Sequence, residues 1–230
     1  MKREMIRILM SVLLVISAAS VAIAAPLSTA PVDFINVSPG SGVTFVTPWG
    51  TETWNTGVYN FTILSGQFAG TYGGFCVDPA NSYTGGSPYP NYDINAVTHG
   101  MGRNYDLAAY LLSKYYSVPG RSASATQAAI WELMFESSDL DYNISSGSSD
   151  RGNFYTSNGI AATAQSYIDD ARTNGAGFNL SGYYLAQSPA GGPVYYDRLY
   201  QDYVFKTPEP MTILLLGAGL IGLAGLRRKE

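Results

Sequence analysis

Two long, predominantly apolar runs, 8–23 and 211–226, stand at the ends of a middle section whose apolar positions recur with shorter periods. There, β-branched and aromatic residues dominate 43–47 and 53–64, with Pro48-Trp49-Gly50 as a turn between them, and this pattern predicts strands. Segment 25–40 carries Pro and Ser and reads as a lead-in. Segment 66–74 reads as a glycine loop or short strand running into Phe75-Cys76-Val77-Asp78, and the Pro, Gly, Ser and Asn of 79–92 mark a long loop. The period then changes: Leu107, Ala108, Leu111, Leu112 and Tyr115 fall at three- and four-residue spacing, predicting a helix over 105–116 that Val118-Pro119-Gly120 ends. A second helix begins near Ser122 or Ser124, either a suitable N-cap, with Gln127, Ile130, Trp131 and Met134 on one face. A third is predicted over 159–174, with Ile160, Ala164, Tyr167, Ile168 and Ala171 inward and Gly175 as its stop. Strand patterns return at 178–186 and 194–205. Strands, then helices, then strands predict an α+β fold: a β-sandwich or barrel with an inserted bundle of about three helices.

The end runs change the picture of what is mature protein. Lys2, Arg3 and Arg7 precede the first run and Ala22-Ile23-Ala24 follows its apolar stretch, so 1–24 reads as a secretory signal peptide. The domain is then 25–206, a length typical of one unit. It holds seven Lys/Arg against fourteen Asp/Glu, a net charge of −7, and this acidic body with no basic stripe argues against a nucleic-acid partner. Its wealth of Tyr, Gly, Ser and Thr suits a β-rich extracellular surface.

The second run follows Thr207-Pro208-Glu209-Pro210, is broken by Gly217, Ala218, Gly219, Gly222 and Gly225, and ends in Arg227-Arg228-Lys229. It has 16 residues where about 20 are needed to cross a bilayer, and its basic end favours the cytoplasmic side. A short transmembrane helix over 211–226, used as a temporary anchor and later processed, fits this length. The order of Pro208, Glu209, Pro210, the small-residue helix and Arg227, Arg228, Lys229 resembles the PEP-CTERM sorting tail of Gram-negative bacteria, here 207–230. The resemblance implies exosortase and the export machinery as partners, passage through the inner membrane, and a final location at the cell surface or in the extracellular matrix.

Chemistry centres on Cys76, the one cysteine, which cannot form an internal disulfide. It is a buried small hydrophobe, an intermolecular link or a reactive group. Three blocks belong together: Phe75-Cys76-Val77, Thr126-Gln127-Ala128-Ala129-Ile130-Trp131, and Tyr200-Gln201-Asp202-Tyr203-Val204-Phe205. They resemble the motifs of the bacterial thioester (TQxA) domain of surface adhesins, over nearly the whole mature chain. The resemblance implies that the Cys76 thiol displaces ammonia from a glutamine side chain, leaving an internal thioester that a lysine or other amine-bearing surface ligand attacks. The family pattern places the bonded glutamine at Gln201, with Gln127 as the alternative partner. Thr126 and Trp131 would line the pocket, Trp131 as a roof against water. Such a protein is not an enzyme and needs no cofactor; its ligand would be an amine-bearing surface or an exopolysaccharide.

Other readings stand beside this one. The same fold without a reactive bond would be a structural protein of the envelope. Pairing of Cys76 with His99, the one histidine, would suggest a cysteine hydrolase, though no protease signature surrounds the cysteine. Asp139, Asp141, Asn143 and Asp150 echo a calcium loop, but Ile144 stands where that loop requires glycine. A solvated acidic loop fits better, and no metal is expected.

Overall fold

The computed structural model describes residues 26–47, 50–78, 90–101, 103–135, 142–145, 155–156, 159–189 and 200–207. The expected signal peptide and the expected transmembrane segment 211–226, with its flanking Pro-Glu-Pro and basic residues, lie outside them, as do Asp139, Asp141 and Asp150. Among the described residues no helix is long and apolar enough to cross a membrane.

Six strands close a barrel: β1 (Ser28–Val37), β4 (Tyr59–Ile63), β5 (Gly70–Cys76), β8 (Tyr203–Lys206), β7 (Tyr183–Gln187) and β6 (Asn91–Ala96), adjacent in that order. All neighbours are antiparallel. Closure leaves no open edge, and alternate side chains fill the inside. The ladder register puts Val32 and Phe34 opposite Ile63 and Phe61, and Cys76 opposite Tyr203. The interior is aromatic: Phe61 stacks on Tyr203 at 4.9 Å, and Tyr203 faces Tyr92 at 6.2 Å. Polar residues of β4 point outward and pair across strands, Asn60 with Asn36 and Thr62 with Thr71. A hairpin of β2 (Ser41–Thr47) and β3 (Gly50–Thr56) stands apart from the barrel.

Three helices lie between β6 and β7: α1 (Tyr105–Ser117), α2 (Ala123–Phe135) and α3 (Ala161–Asn174). The Ser122 hydroxyl accepts the Ala125 N–H (3.2 Å), which makes Ser122 rather than Ser124 the cap of α2. Packed against α1, α3, β3 and β5, α2 is buried on nearly every side. The single-faced amphipathic helix expected from the sequence is therefore corrected to a central one, as a helix apolar all round requires.

The structure corrects the strand boundaries too. The expected lead-in 25–40 contains β1, whose alternation of Ala30, Val32 and Phe34 against Pro31, Asp33 and Ile35 is masked by its Pro and Ser content. The run 53–64 is two strands, divided where Gly57 takes φ +153° and where a side chain would strike the Pro39 carbonyl. The loop expected at 79–92 ends in β6, and 178–186 narrows to β7. Of 194–205, the described strand is β8. The expected barrel with about three inserted helices is present.

Candidate functional site

Cys76 ends β5 at one mouth of the barrel. Gly74 makes this possible: an added Cβ there would meet the Val204 carbonyl oxygen and lie 3.2 Å from the Phe61 ring, so only glycine lets β8 press close. β4 ends opposite Gly74, at Tyr59, so that among the described residues no strand pairs with the Cys76 main chain on that side. The Gln127 carboxamide fills the gap. Its oxygen accepts the Cys76 N–H (3.0 Å) and its nitrogen donates to the Cys76 carbonyl (2.7 Å). A side chain from α2 thus completes the ladder as a missing strand residue would, with both groups satisfied in a fully buried place.

On the other side of β5 the ladder continues past Cys76, because the Val77 N–H donates to the Asp202 carbonyl (2.9 Å). That bond, after the Cys76–Tyr203 pair, brings Asp78 opposite Gln201. Opposed residues of an antiparallel pair, and every second residue along each strand, point to one face. Cys76 and Tyr203 therefore share a face, and Asp78 and Gln201 follow where the two strands end. Gln201 is 7% exposed and its carboxamide oxygen has no hydrogen-bond partner, an expensive state for a buried amide. Its backbone is fixed by the Tyr92 hydroxyl, which donates to the Gln201 carbonyl (3.0 Å).

Trp131 covers the sulfur from α2. Its ring is held edge-on against Phe45 (5.5 Å) and Trp54 (5.2 Å) of the hairpin. The indole N–H has no well-aligned hydrogen bond, yet it acts on the Cys76 sulfur as a donor. Burial pushes the Cys76 thiol well up and the charge of Asp78 adds to this; the Asp78 backbone N–H and the Trp131 indole pull back, and Asp202 raises it again. The thiol is thus neutral at physiological pH, unlike the low-pKa thiolate of a cysteine hydrolase. Tyr92 and Tyr203 are likewise raised, first by burial.

Thr126, expected in the pocket, is buried, but its hydroxyl donates within its own helix to the Ser122 carbonyl (2.8 Å). His99 is engaged elsewhere. Its two ring nitrogens meet the Asp106 carboxylate (3.0 Å) and the Phe178 carbonyl (3.1 Å), leaving none for Cys76. Asn143 accepts the Ser145 N–H (3.1 Å) in a local turn, and the described residues hold no cluster of three or more metal-ligating side chains. Sequence reasoning passed over Asp78 and Asp202. Both are buried carboxyls, and their signal was their adjacency to Cys76 and Gln201 in the quoted blocks.

Residues 206–229 match the PEP-CTERM protein-sorting motif. The motif covers about a tenth of the chain and marks an exported protein that depends on exosortase, delivered through the membrane to the cell surface. No curated protein and no solved structure matches the chain. For the barrel domain, its own geometry is the guide.

Proposed function

We propose that this exosortase-sorted protein carries an internal thioester between Cys76 and Gln201 and uses it to join covalently to an amine-bearing partner at the cell surface or in the extracellular matrix. The observation that carries the reading is the division of labour between two glutamines. Gln127 is fully engaged by the Cys76 main chain. Gln201 lies buried two residues before Tyr203, the strand partner of Cys76, with an unpartnered carboxamide oxygen. Attack of the thiol on the Gln201 amide carbon forms the S–C bond, breaks the C–N bond and releases ammonia. Trp131 and the buried aromatic surroundings keep hydrolytic water away.

Methylamine tests the assignment. The expected result is a methylamide on Gln201, with one new alkylatable thiol at Cys76, both located by peptide mass mapping. Methylamide on Gln127 would overturn the choice of glutamine, and no incorporation with a freely alkylated thiol would overturn the bond.

A second reading, a non-reactive structural protein of the envelope, is favoured by one observation: Cys76 is 0% exposed, so an amine reaches it only if the pocket opens. The same experiment separates the two.

A further inference from the structure

Exchange of an amide for a thioester moves a proton as well as an acyl group. The thiol hydrogen must reach the departing nitrogen, because the amide leaves as ammonia. Water is a poor carrier here: Cys76, Gln127 and Trp131 are all 0% exposed. Imidazole is absent, because His99 is bound to Asp106 and Phe178. Two carboxyls lie near. The Asp202 carboxyl is engaged by main chain, its Oδ1 accepting the Ser188 N–H (2.7 Å). Asp78 lies two residues from Cys76, is carried next to Gln201 by the Val77–Asp202 main-chain bond, and is 1% exposed. Its backbone N–H also reaches the Cys76 sulfur, and its charge acts on the thiol more strongly than that of Asp202.

We propose that Asp78 is the proton carrier of the Cys76–Gln201 exchange, an inference that rests on the thioester reading above. Its carboxylate takes the thiol proton as sulfur attacks the Gln201 carbonyl carbon. It returns that proton to the amide nitrogen as the C–N bond breaks, so that ammonia leaves and the carboxylate is restored. When a primary amine later attacks the thioester, the same group takes a proton from the attacking nitrogen and gives it to the departing sulfur. Thioester and free thiol interconvert with no net charge left in the barrel mouth.

The test compares intact masses of the full-length exported protein and its Asp78→Asn, Asp78→Ser, Asp78→Glu and Asp202→Asn variants, each against its own Cys76→Ala counterpart. Wild type and Asp202→Asn are expected to show the loss of one ammonia. Whichever of Asp78→Asn and Asp78→Ser melts cooperatively should keep the full mass and an alkylatable thiol, with bond formation slowed about a hundredfold or more. Asp78→Glu should recover the loss, which a merely structural role for Asp78 would not predict. Ammonia loss in a folded Asp78→Asn or Asp78→Ser protein, to the wild-type extent, would overturn the role of Asp78 alone. Full mass in wild type would instead refute the thioester itself.

Discussion

Replacing Gln127 by leucine should be among the costliest single changes in the barrel mouth, although it alters neither of the reacting groups. The side chain makes two hydrogen bonds to the Cys76 main chain, at 3.0 and 2.7 Å, in a site closed to water. Leucine has a similar volume but orphans a buried N–H and a buried C=O, because among the described residues no strand pairs with Cys76 there. Each orphan costs about 1–3 kcal/mol. Added apolar burial returns about 1 kcal/mol, so a net loss of about 1–5 kcal/mol is expected. For a domain of this size that lowers the melting temperature by about 2–20 °C. Gln201→Leu should behave differently, since its carboxamide oxygen has no partner to lose. Its change should stay within about 1 kcal/mol. The comparison belongs in a Cys76→Ala background, where no cross-link contributes and the main-chain bonds of residue 76 survive. Urea unfolding followed by far-ultraviolet circular dichroism supplies the free energies. Equal cost at Gln127 and Gln201, or a Gln127→Leu loss under about 0.5 kcal/mol, would refute the division of roles.

Two further predictions concern charged groups that hold the helices. Burial would raise Asp170, but hydrogen bonds from Asn174, Tyr110 and Arg121 outweigh it and leave its carboxyl below the ordinary 3.8. Its stabilisation is therefore present above that value and lost as pH falls through the lowered folded value. Asp170→Asn should cost about 1–2 kcal/mol near neutral pH, with the gap from wild type closing below about pH 3.8 in thermal melts. His99 is raised above 6.5, first by its hydrogen bond with Asp106 and then by the Phe178 carbonyl. Its contribution is present below 6.5 and fades as pH rises through the raised value, so His99→Gln should melt lower than wild type at pH about 5–6 and converge with it at higher pH.

How much of this was legible in the sequence depended on whether local pattern or long-range pairing decided each element. The helices were visible because their apolar spacing is local: α1 and α3 begin and end within two residues of the expected positions. β1 was not, because Pro31 and the flanking polar residues hide an alternation that matters only once β4 and β6 lie on either side. β6 was lost in the same way inside a loop-like composition. α2 looked amphipathic because the hairpin and two further helices that cover its other faces come from distant segments. At the site, Cys76, Gln127, Trp131 and Gln201 were each picked out by residue type and motif order. Their different tasks were not, since the end of β4 at Tyr59, which turns Gln127 into a strand substitute, is a fact of register. Asp78 went unnoticed because only the β5–β8 pairing sets it across from Gln201.

The central claim is a covalent bond, and mass measures it directly. The exported protein and its Cys76→Ala variant, purified alike without reducing agent or amine buffer, share whatever processing occurs at the two ends, so their difference isolates the site. The account predicts a wild type lighter by one ammonia than expected from the substitution alone, with no alkylatable thiol before methylamine and one after it. A wild type at its full calculated mass, with Cys76 freely alkylated once the barrel is unfolded, would contradict it.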